Sequence, residues 1–326
     1  MNKNILFVTL FVFTAMAYAQ SPMSNISVNW IEATEKADFP LRVDSASLVY
    51  DNKMWIIGGN HSSGSFLNDV WFSTDGVKWN SVVSKSIFSP RTNPPALVFK
   101  NKMWIIGGWA LMGPLNDVWF SLDGSKWKKV HLIAPFSPGD YKALVYDNKM
   151  WLLGGKKISL NQANAETEVW SSTDGLRWVK VLAKTPFFMN EEHAALVYDN
   201  KMWVVGKGDD INYKVSTNDS WYSTDGVKWT KVSSSEPFPA DFRFTALVYN
   251  GAMWVIAGDM TNDAWFSSDG MKWEKASTSS SFPVRFGQIS LVYKNQMWVI
   301  GGETKLSFSK WQEGWTKTIN DVWHSL

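Results

Sequence analysis

The sequence predicts an all-β fold, a six-bladed β-propeller with four antiparallel strands in each blade. Three observations predict it: a unit that recurs six times, turn dipeptides between short apolar segments, and tryptophans at fixed places in every unit. Leu-Val-Tyr, or Leu-Val-Phe once, begins at Leu48, Leu97, Leu144, Leu196, Leu247 and Leu291. Successive copies are 44 to 52 residues apart, and repeats of this length are typical of propellers and solenoids.

Each unit contains four short apolar segments, which we interpret as strands. In the first unit they are Ser45–Tyr50, Lys53–Ile57, Asp69–Ser73 and Val77–Val82. Asp75-Gly76 joins the last two, and Asp-Gly recurs in the next four units. Because a type I′ turn needs positive φ, Asp-Gly between apolar segments predicts a tight hairpin. No segment has helical periodicity, so the units are expected to be blades without helices.

The tryptophans support the same register. Of 21 in the chain, 18 recur at one position in each predicted second, third and fourth strand, as in Trp55, Trp71 and Trp79 of the first unit. A phenylalanine follows each fourth-strand tryptophan nine residues later. Large flat side chains fill the widening gap between wedge-shaped blades. We therefore expect these 18 tryptophans to be buried.

The two ends of the repeat array predict how the ring closes. The last unit stops at Val322–Leu326, one strand short, and the missing strand is found at Ser27–Ala33, which carries Trp30. The N-terminal strand is therefore expected to complete the last blade, which removes two free strand edges. A solenoid has no reason to split a repeat between its ends.

Residues 1–19 have the pattern of a cleaved secretory signal peptide. Lys3 precedes the apolar run Ile5–Ala17, and Ala17-Tyr18-Ala19 offers small residues at a cleavage site. The run is too short to span a bilayer, and no later segment is apolar enough to do so. We expect one propeller domain over residues 20–326, secreted or periplasmic, monomeric and without a membrane span.

Composition narrows the classes of function. Lys and Arg number 32 and Asp and Glu number 30, so no basic excess suggests a nucleic-acid partner. Cysteine is absent and only four histidines are present. Thiolate chemistry is therefore excluded, and neither a metal site nor a cofactor is expected.

The repeat resembles the Kelch family. The shared features are a double glycine after the second strand, as in Gly58-Gly59, and an aromatic residue six positions before a tryptophan, as in Phe72 and Trp79. The resemblance covers about Ser27 to Leu326. It implies a glycan or protein ligand on the face formed by the second-to-third-strand loops and the connections between blades.

Several residues on that face are candidate ligand-binding groups. Arg42, Arg91 and Arg285 lie six residues before the Leu-Val-Tyr anchor on three consecutive blades. Guanidinium groups suit anionic ligands, so we expect the three to face the central pocket. The alternative is that they pair with neighbouring acidic loop residues and hold adjacent blades together. The other candidates, on the second-to-third-strand loops, are His61, Trp109, Trp311 and Trp315.

Two functions follow from these residues. The first is an exported module that binds a glycan or another polar ligand, anionic ligands included, and catalyses no reaction. The second is suggested by the resemblance, because exported six-bladed Kelch proteins include N-acetylneuraminate epimerases, which are sugar mutarotases. Mutarotation needs an acid and a base near the anomeric oxygens, and the candidates are Glu191, Glu192 and His193. The sequence leaves open whether the protein is an enzyme.

Overall fold

A computed structural model describes residues 26–61, 63–83, 86–131, 133–155, 167–187, 193–209, 216–232, 238, 243–258, 261–305 and 316–326. The strands in these residues are, in chain order, β1 (Trp30–Thr34), β2 (Ala46–Tyr50), β3 (Lys53–Asn60), β4 (Phe66–Ser73), β5 (Asn80–Val83), β6 (Ala96–Phe99), β7 (Lys102–Ala110), β8 (Gly113–Ser121), β9 (Trp127–His131), β10 (Tyr141–Tyr146), β11 (Lys149–Gly154), β12 (Glu168–Ser172), β13 (Val179–Leu182), β14 (His193–Tyr198), β15 (Lys201–Asp209), β16 (Ser216–Ser223), β17 (Thr230–Val232), β18 (Thr245–Tyr249), β19 (Ala252–Gly258), β20 (Thr261–Ser267), β21 (Glu274–Lys275), β22 (Ile289–Tyr293), β23 (Gln296–Lys305) and β24 (Thr316–Ser325).

These strands form six four-stranded antiparallel sheets arranged as the blades of a propeller. Blades 1 to 5 are β2–β5, β6–β9, β10–β13, β14–β17 and β18–β21, each in sequence order, and blade 6 has the order β1-β24-β23-β22. The described residues contain no helix. Consequently, none of the chain that the structure describes offers a helix able to cross a membrane. The predicted fold class is confirmed.

Closure of the ring by the N-terminal strand is also confirmed. β1 pairs with β24 in an antiparallel register that sets Trp30 opposite Ser325 and Thr34 opposite Val322. One residue beyond β24, the Leu326 N–H donates to the Asn29 carbonyl at 2.9 Å. In every other blade the outer strand follows the third strand directly in sequence. In blade 6 the outer strand β1 and its partner β24 are almost 300 residues apart.

The tight hairpins occur at a different turn from the one predicted. Between β2 and β3, Asp51 and Asn52 have φ of 50° and 53°, with Tyr50 paired to Lys53. Two positive φ values in a two-residue loop are those of a type I′ turn. The same pattern occurs between the first and second strands of every blade. At Asp75-Gly76 only the glycine has positive φ, so the type I′ prediction is wrong for the Asp-Gly turns.

The Asp-Gly turn is wider and is organised by side chains. Ser73 Oγ accepts from the Gly76 N–H at 2.8 Å, and Asp75 Oδ1 accepts from the two N–H groups that follow Gly76. A Cβ on Gly76 would collide with the ring of Trp298 in the preceding blade. Glycine is therefore required both by its φ and by the neighbouring blade. Four other blades repeat this contact, in Gly124 with Trp55, Gly175 with Trp104, Gly226 with Trp151 and Gly270 with Trp203.

The tyrosine of the Leu-Val-Tyr anchor also joins neighbouring blades. Its hydroxyl donates to a carbonyl in the type I′ turn of the next blade, as Tyr50 does to Asn101 at 3.0 Å and Tyr146 does to Asn200 at 2.8 Å. Blades 4, 5 and 6 make the same bond. Blade 2 has Phe99 at this position, which has no hydroxyl to donate to blade 3.

A ring of aromatic pairs lies between the blades. The phenylalanine nine residues after each fourth-strand tryptophan packs edge-on against the fourth-strand tryptophan of the next blade, at centroid distances of 4.9 to 5.5 Å. The pairs are Phe39–Trp79, Phe88–Trp127, Phe136–Trp178, Phe187–Trp229, Phe238–Trp273 and, across the closure, Phe282–Trp30. Edge-to-face pairs of this kind contribute about 0.5–1.5 kcal/mol each beyond area burial.

Burial of the tryptophans matches the prediction in the second and fourth strands and, in the third strand, at Trp119 and Trp170. Trp55 and Trp79 are buried, but Trp71 in the third strand is half-buried. Half-burial also holds for Trp221, Trp265 and Trp323. The third strand lies near the outer edge of the blade, where a lysine from the fourth strand can lie over the indole, as Lys231 lies over Trp221 at 5.8 Å from the ring centre. The prediction that all 18 are buried is wrong for these four.

Deletion of residues 20–34 should open the ring and lower the melting temperature sharply. The deletion removes the outer strand of blade 6 and the Trp30–Phe282 contact. Circular dichroism melting of the purified deletion variant would measure the effect. A matched deletion confined to residues 20–25 should melt like the full chain, and a residue 20–34 deletion that also did so would contradict closure by β1.

Candidate functional site

Arg42 lies inside blade 1, in a buried ion pair. Its guanidinium donates to both carboxylate oxygens of Asp69 at 2.9 and 2.7 Å and to the Gly58 carbonyl at 3.0 Å. Its Cζ lies 5.5 Å from the centre of the Phe39 ring. This arrangement ties the connection from blade 6 to the second and third strands of blade 1. We refer to it as the Arg–Asp clamp.

The same clamp recurs in the two neighbouring blades. Arg91 pairs with Asp117 at 2.6 and 2.8 Å, and Arg285 pairs with Asp321 at 2.6 and 2.7 Å. Arg42, Arg91 and Arg285 are 1%, 0% and 0% exposed. The prediction that these three side chains face the pocket and bind an anionic ligand is wrong in its geometry. Each charge is satisfied by a buried carboxylate, as a buried charge must be.

Blades 3 and 5 fill the corresponding space with aromatic rings. Tyr141 packs against Phe136 and Phe244 packs against Phe238, both at centroid distances of 5.5 Å. Both residues lie three positions before the repeat leucine, where blade 4 has His193. His193 is buried like Tyr141, and His193, Tyr141 and Phe244 all line the cavity inside the ring that is described below.

The three clamps also build one half of the rim around the central channel. The residue after each clamp arginine forms an antiparallel bridge to the residue after the double glycine: Val43 to Asn60, Thr92 to Trp109, and Phe286 to Glu303. These bridges hold the second-to-third-strand hairpin against the connection between blades.

The following residue in each clamped blade has left-handed backbone. Asp44, Asn93 and Gly287 have φ of 54°, 49° and 62°. The Asp44 N–H donates to the Gly287 carbonyl at 2.9 Å, and the Asn93 N–H donates to the Asp44 carbonyl at 2.8 Å. A continuous backbone chain thus joins blades 6, 1 and 2 at the rim. Non-glycine residues held at positive φ often mark functional sites.

Below the rim, the inner strands enclose a cavity of about 250 Å³. Small residues from all six blades form its wall, namely Ser47, Ala96, Ala143, Ala195, Ala246 and Ser290. Lys142 of blade 3 and His193 of blade 4 also line it. Burial, with the Lys142 charge adding, lowers the pKa of His193 to about 3. The imidazole is therefore neutral at physiological pH.

The rim carries charges of both signs. Arg243 Nη1 lies 3.9 Å from Asp44 Oδ2, and its Cζ lies 5.6 Å from the Phe286 ring centre. Burial raises the pKa of the Glu303 carboxyl, while the Arg243 charge opposes the shift and the Asp44 charge adds to it. On the other side, the Trp109 indole donates to Asp140 of blade 3.

The structure brings only some of the predicted site residues together. Trp109 lies at the rim but is half-buried rather than freely exposed, because its indole is hydrogen-bonded to Asp140. His61 lies on the blade 1 hairpin, where its Nδ1 contacts Ser63 at 3.0 Å, and it does not line the cavity. His193 lies on the cavity wall. Glu191, Glu192, Trp311 and Trp315 lie outside the described residues.

Six polar residues of the rim and cavity were not among the sequence candidates: Asp44, Asn93, Asp140, Lys142, Arg243 and Glu303. Four of them share one alignment position, four residues before the repeat leucine. That position is occupied by unlike residues from blade to blade, which is what a site grafted on a repeat would show. Within the described ranges, no three His, Asp or Glu side chains are grouped so as to hold a metal ion.

Arg91→Met should destabilise the protein by about 3–5 kcal/mol, because it leaves the Asp117 carboxylate buried without its partner. Urea unfolding followed by fluorescence would measure this. Arg177→Met makes the same change at an exposed turn and should cost less than about 0.5 kcal/mol. Equal costs at the two positions would show that the clamp does not stabilise the blade.

The comparisons with known proteins agree with this architecture. A model described as a KLHDC2/KLHL20/DRC7 Kelch-repeats domain matches residues 23–181, and one described as a DUF6242 beta propeller domain matches residues 172–325. No curated protein sequence matches the chain significantly. A solved structure titled "Structure of YjhT" superimposes with a TM-score of 0.66 at 15% identity, over 89% of this chain and 96% of that one. Likeness at this identity shows the fold alone. The repeat motifs, the matched models and the six observed blades together make this chain a six-bladed Kelch-type β-propeller.

Proposed function

We propose that the protein is an exported module that binds a glycan at the mouth of the central channel. The observation that carries the proposal is a rim of unlike polar residues, bridged by backbone across blades 6, 1 and 2 and continued by Asp140 and Arg243, beside a partly open cavity between the inner strands. The scaffold does not require these residues, because equivalent positions on the other blades carry different ones. Fixed polar groups around a cavity are the usual form of a small-ligand site.

The size and chemistry of the mouth suit a ligand of about one sugar ring. Ligand pockets commonly enclose about 300–1,000 Å³, and this cavity, at about 250 Å³, lies just below that range. Carboxylates at Asp44, Asp140 and Glu303 accept hydrogen bonds from hydroxyl groups. The half-buried Trp109 indole offers an apolar edge beside them.

Export is proposed from the sequence of residues 1–19. An N-terminal charge, an apolar run and an Ala-x-Ala site form the usual secretory pattern. A module outside the cytoplasm would meet polysaccharides and free sugars. N-terminal sequencing of the protein recovered from the periplasm or the medium tests export, and an N-terminus at Gln20 is the expected result.

Asp140→Ala should weaken glycan binding about tenfold or more, because hydrogen bonds to a charged group contribute about 1.5–3 kcal/mol. A glycan array would identify a ligand, and isothermal titration calorimetry would compare the variants. Asp147→Ala is the matched control, because Asp147 lies in the turn at the other end of the same blade. Unchanged affinity in Asp140→Ala would place the site elsewhere.

A sugar mutarotase is the alternative function. Asp140, Lys142 and His193 line one side of the cavity, so an acid and a base lie on adjoining blades. His193 has a pKa of about 3 and is a weak base. We assign the base to Asp140 by its position, because its carboxylate lies at the mouth of the same cavity.

NMR exchange between the anomers of several reducing sugars distinguishes the two functions. An enzyme should accelerate exchange, and Asp140→Ala should abolish the acceleration while Asp147→Ala retains it. Exchange at the uncatalysed rate for every sugar that binds would exclude the mutarotase.

A further inference from the structure

We infer that Trp109 is a positioning residue, which holds the Asp140 carboxylate in a fixed orientation at the mouth of the channel. This inference rests on the proposed function, because it gives Trp109 a role toward a group that we propose to bind the ligand. It adds that Trp109 acts through Asp140. It also adds that blade 2 sets the geometry of a site residue that blade 3 carries.

The backbone hydrogen bonds that link the rim residues end at blade 2. They run from the Asp44 N–H to the Gly287 carbonyl and from the Asn93 N–H to the Asp44 carbonyl. Among the described residues, the Asp140 N–H makes no such bond to the Asn93 carbonyl, and Asp140 lacks the left-handed backbone of Asn93. Blade 3 also has no clamp arginine, since Pro138 occupies that position. A different contact therefore links Asp140 to blade 2.

The Trp109 indole provides that contact. Its Nε1–H donates to Asp140 Oδ1 across the boundary between blades 2 and 3. Within the part of the chain that the structure describes, the Asp140 carboxylate has no other hydrogen bond or ion pair, so Oδ2 can accept from a hydroxyl group of a ligand. Asp140 is among the described residues that line the cavity, and Trp109 is not. Trp109 therefore reaches the site through Asp140.

The backbones of both partners are held in place. Trp109 exchanges two hydrogen bonds with Thr92, each 2.9 Å long. The clamp arginine before Thr92 also donates to the Gly107 carbonyl, two residues before Trp109, at 2.8 Å. On blade 3, the Asp140 carbonyl accepts from the Gly155 N–H at 2.8 Å. With both backbones fixed, the indole bond restricts the carboxylate to one orientation, and a side chain ordered in advance loses less entropy when a ligand binds.

The residue at this place differs among the three clamped blades, so the scaffold does not need a tryptophan there. It is Asn60 in blade 1, Trp109 in blade 2 and Glu303 in blade 6. An indole N–H can donate but not accept, which suits it to a carboxylate partner. The tryptophan of blade 2 thus matches the aspartate that blade 3 carries at the mouth.

The test is a double-mutant cycle on the full-length protein. Trp109→Phe keeps an aromatic ring but removes the indole donor, and Asp140→Ala removes the acceptor. Trp170→Phe is the matched control, because Trp170 also donates to a carboxylate, that of Glu168 at 2.8 Å, and does not line the cavity. The probes are D-glucose, D-galactose and N-acetyl-D-glucosamine. Calorimetry measures their affinities, and melting temperatures report whether each variant is folded.

Trp109→Phe should weaken sugar binding about two- to tenfold, the range expected for one hydrogen bond, and Trp170→Phe should leave it unchanged. In the Asp140→Ala background, Trp109→Phe should weaken binding no further, because the group that Trp109 positions is gone. Equal losses in both backgrounds would mean that Trp109 acts on the sugar directly, which overturns the inference. Wild-type affinity in Trp109→Phe overturns it too.

An NMR measurement separates failure of the positioning contact from failure of glycan binding. Isotope-labelled tryptophan gives one indole N–H signal per residue, and the Trp109 signal is the one absent from Trp109→Phe. Because a bond to a carboxylate deshields the donated proton, Asp140→Asn should move this signal upfield. Asp147→Asn, at the exposed turn of the same blade, should leave it in place. If the signal moves but no sugar binds, the glycan proposal falls and the positioning contact stands. A signal that Asp140→Asn does not move overturns the inference.

Discussion

The mouth of the channel depends on three buried ion pairs. An arginine with no exposed surface is costly unless its charge is compensated, and here a bidentate carboxylate and a backbone carbonyl compensate it. The structural consequence extends beyond the pair. Each arginine fixes the chain that enters its blade, so the next residue can bridge to the hairpin and the one after it can adopt left-handed backbone. The bridged part of the rim, on blades 6, 1 and 2, follows from that sequence of constraints. Asp140 of blade 3 and Arg243 of blade 5, which has φ of 58° without a clamp, complete the rim.

The other half of the ring solves the same packing problem with uncharged groups. Tyr141 and Phe244 take the place of guanidinium groups beside a phenylalanine. The third-strand carboxylate then needs another partner, and in two blades a fourth-strand lysine provides it: Lys180 for Glu168 and Lys275 for Asp263. Exposed lysine pairs stabilise little. Buried charge therefore organises blades 6, 1 and 2, and aromatic packing takes its place in blades 3 and 5.

Repetition explains why the architecture could be predicted from the sequence. Six copies of one pattern fix the number of blades, and the misplaced strand around Trp30 fixes the closure. The arginine column was harder to interpret, because its partner lies 26 to 36 residues further on. The pairing also leaves no clear trace in sequence, since blades 4 and 5 keep an aspartate two residues before the third-strand tryptophan without having the arginine. Lys142 gave even less signal, because a single lysine in one repeat is indistinguishable from surface variation until the strand is known to line a cavity.

The turns also show how far prediction from the sequence can go. Asp-Gly is the strongest hairpin dipeptide, yet the type I′ geometry is found at Asp51-Asn52 and its equivalents. The Asp-Gly glycine is needed instead because a tryptophan of the preceding blade lies against its Cα. That requirement comes from a residue more than 200 positions away in the case of Gly76 and Trp298. A local pattern can name the residue type correctly and still give the wrong physical reason for it.

Phe99 makes one contact between neighbouring blades different from the other five. We call each such contact a seam. Five seams are joined on the turn side by a tyrosine hydroxyl, and the seam between blades 2 and 3 is not. On the opposite side, this same seam is bridged by Trp109 and Asp140. Separation of blades 2 and 3 would therefore break the Trp109–Asp140 bond and move two of the rim residues apart. By thermodynamic linkage, a ligand that contacts both residues stabilises the closed seam. The closed seam increases the binding free energy of that ligand by the same amount. Occupancy of the channel and cohesion of the ring would then be two measures of one equilibrium.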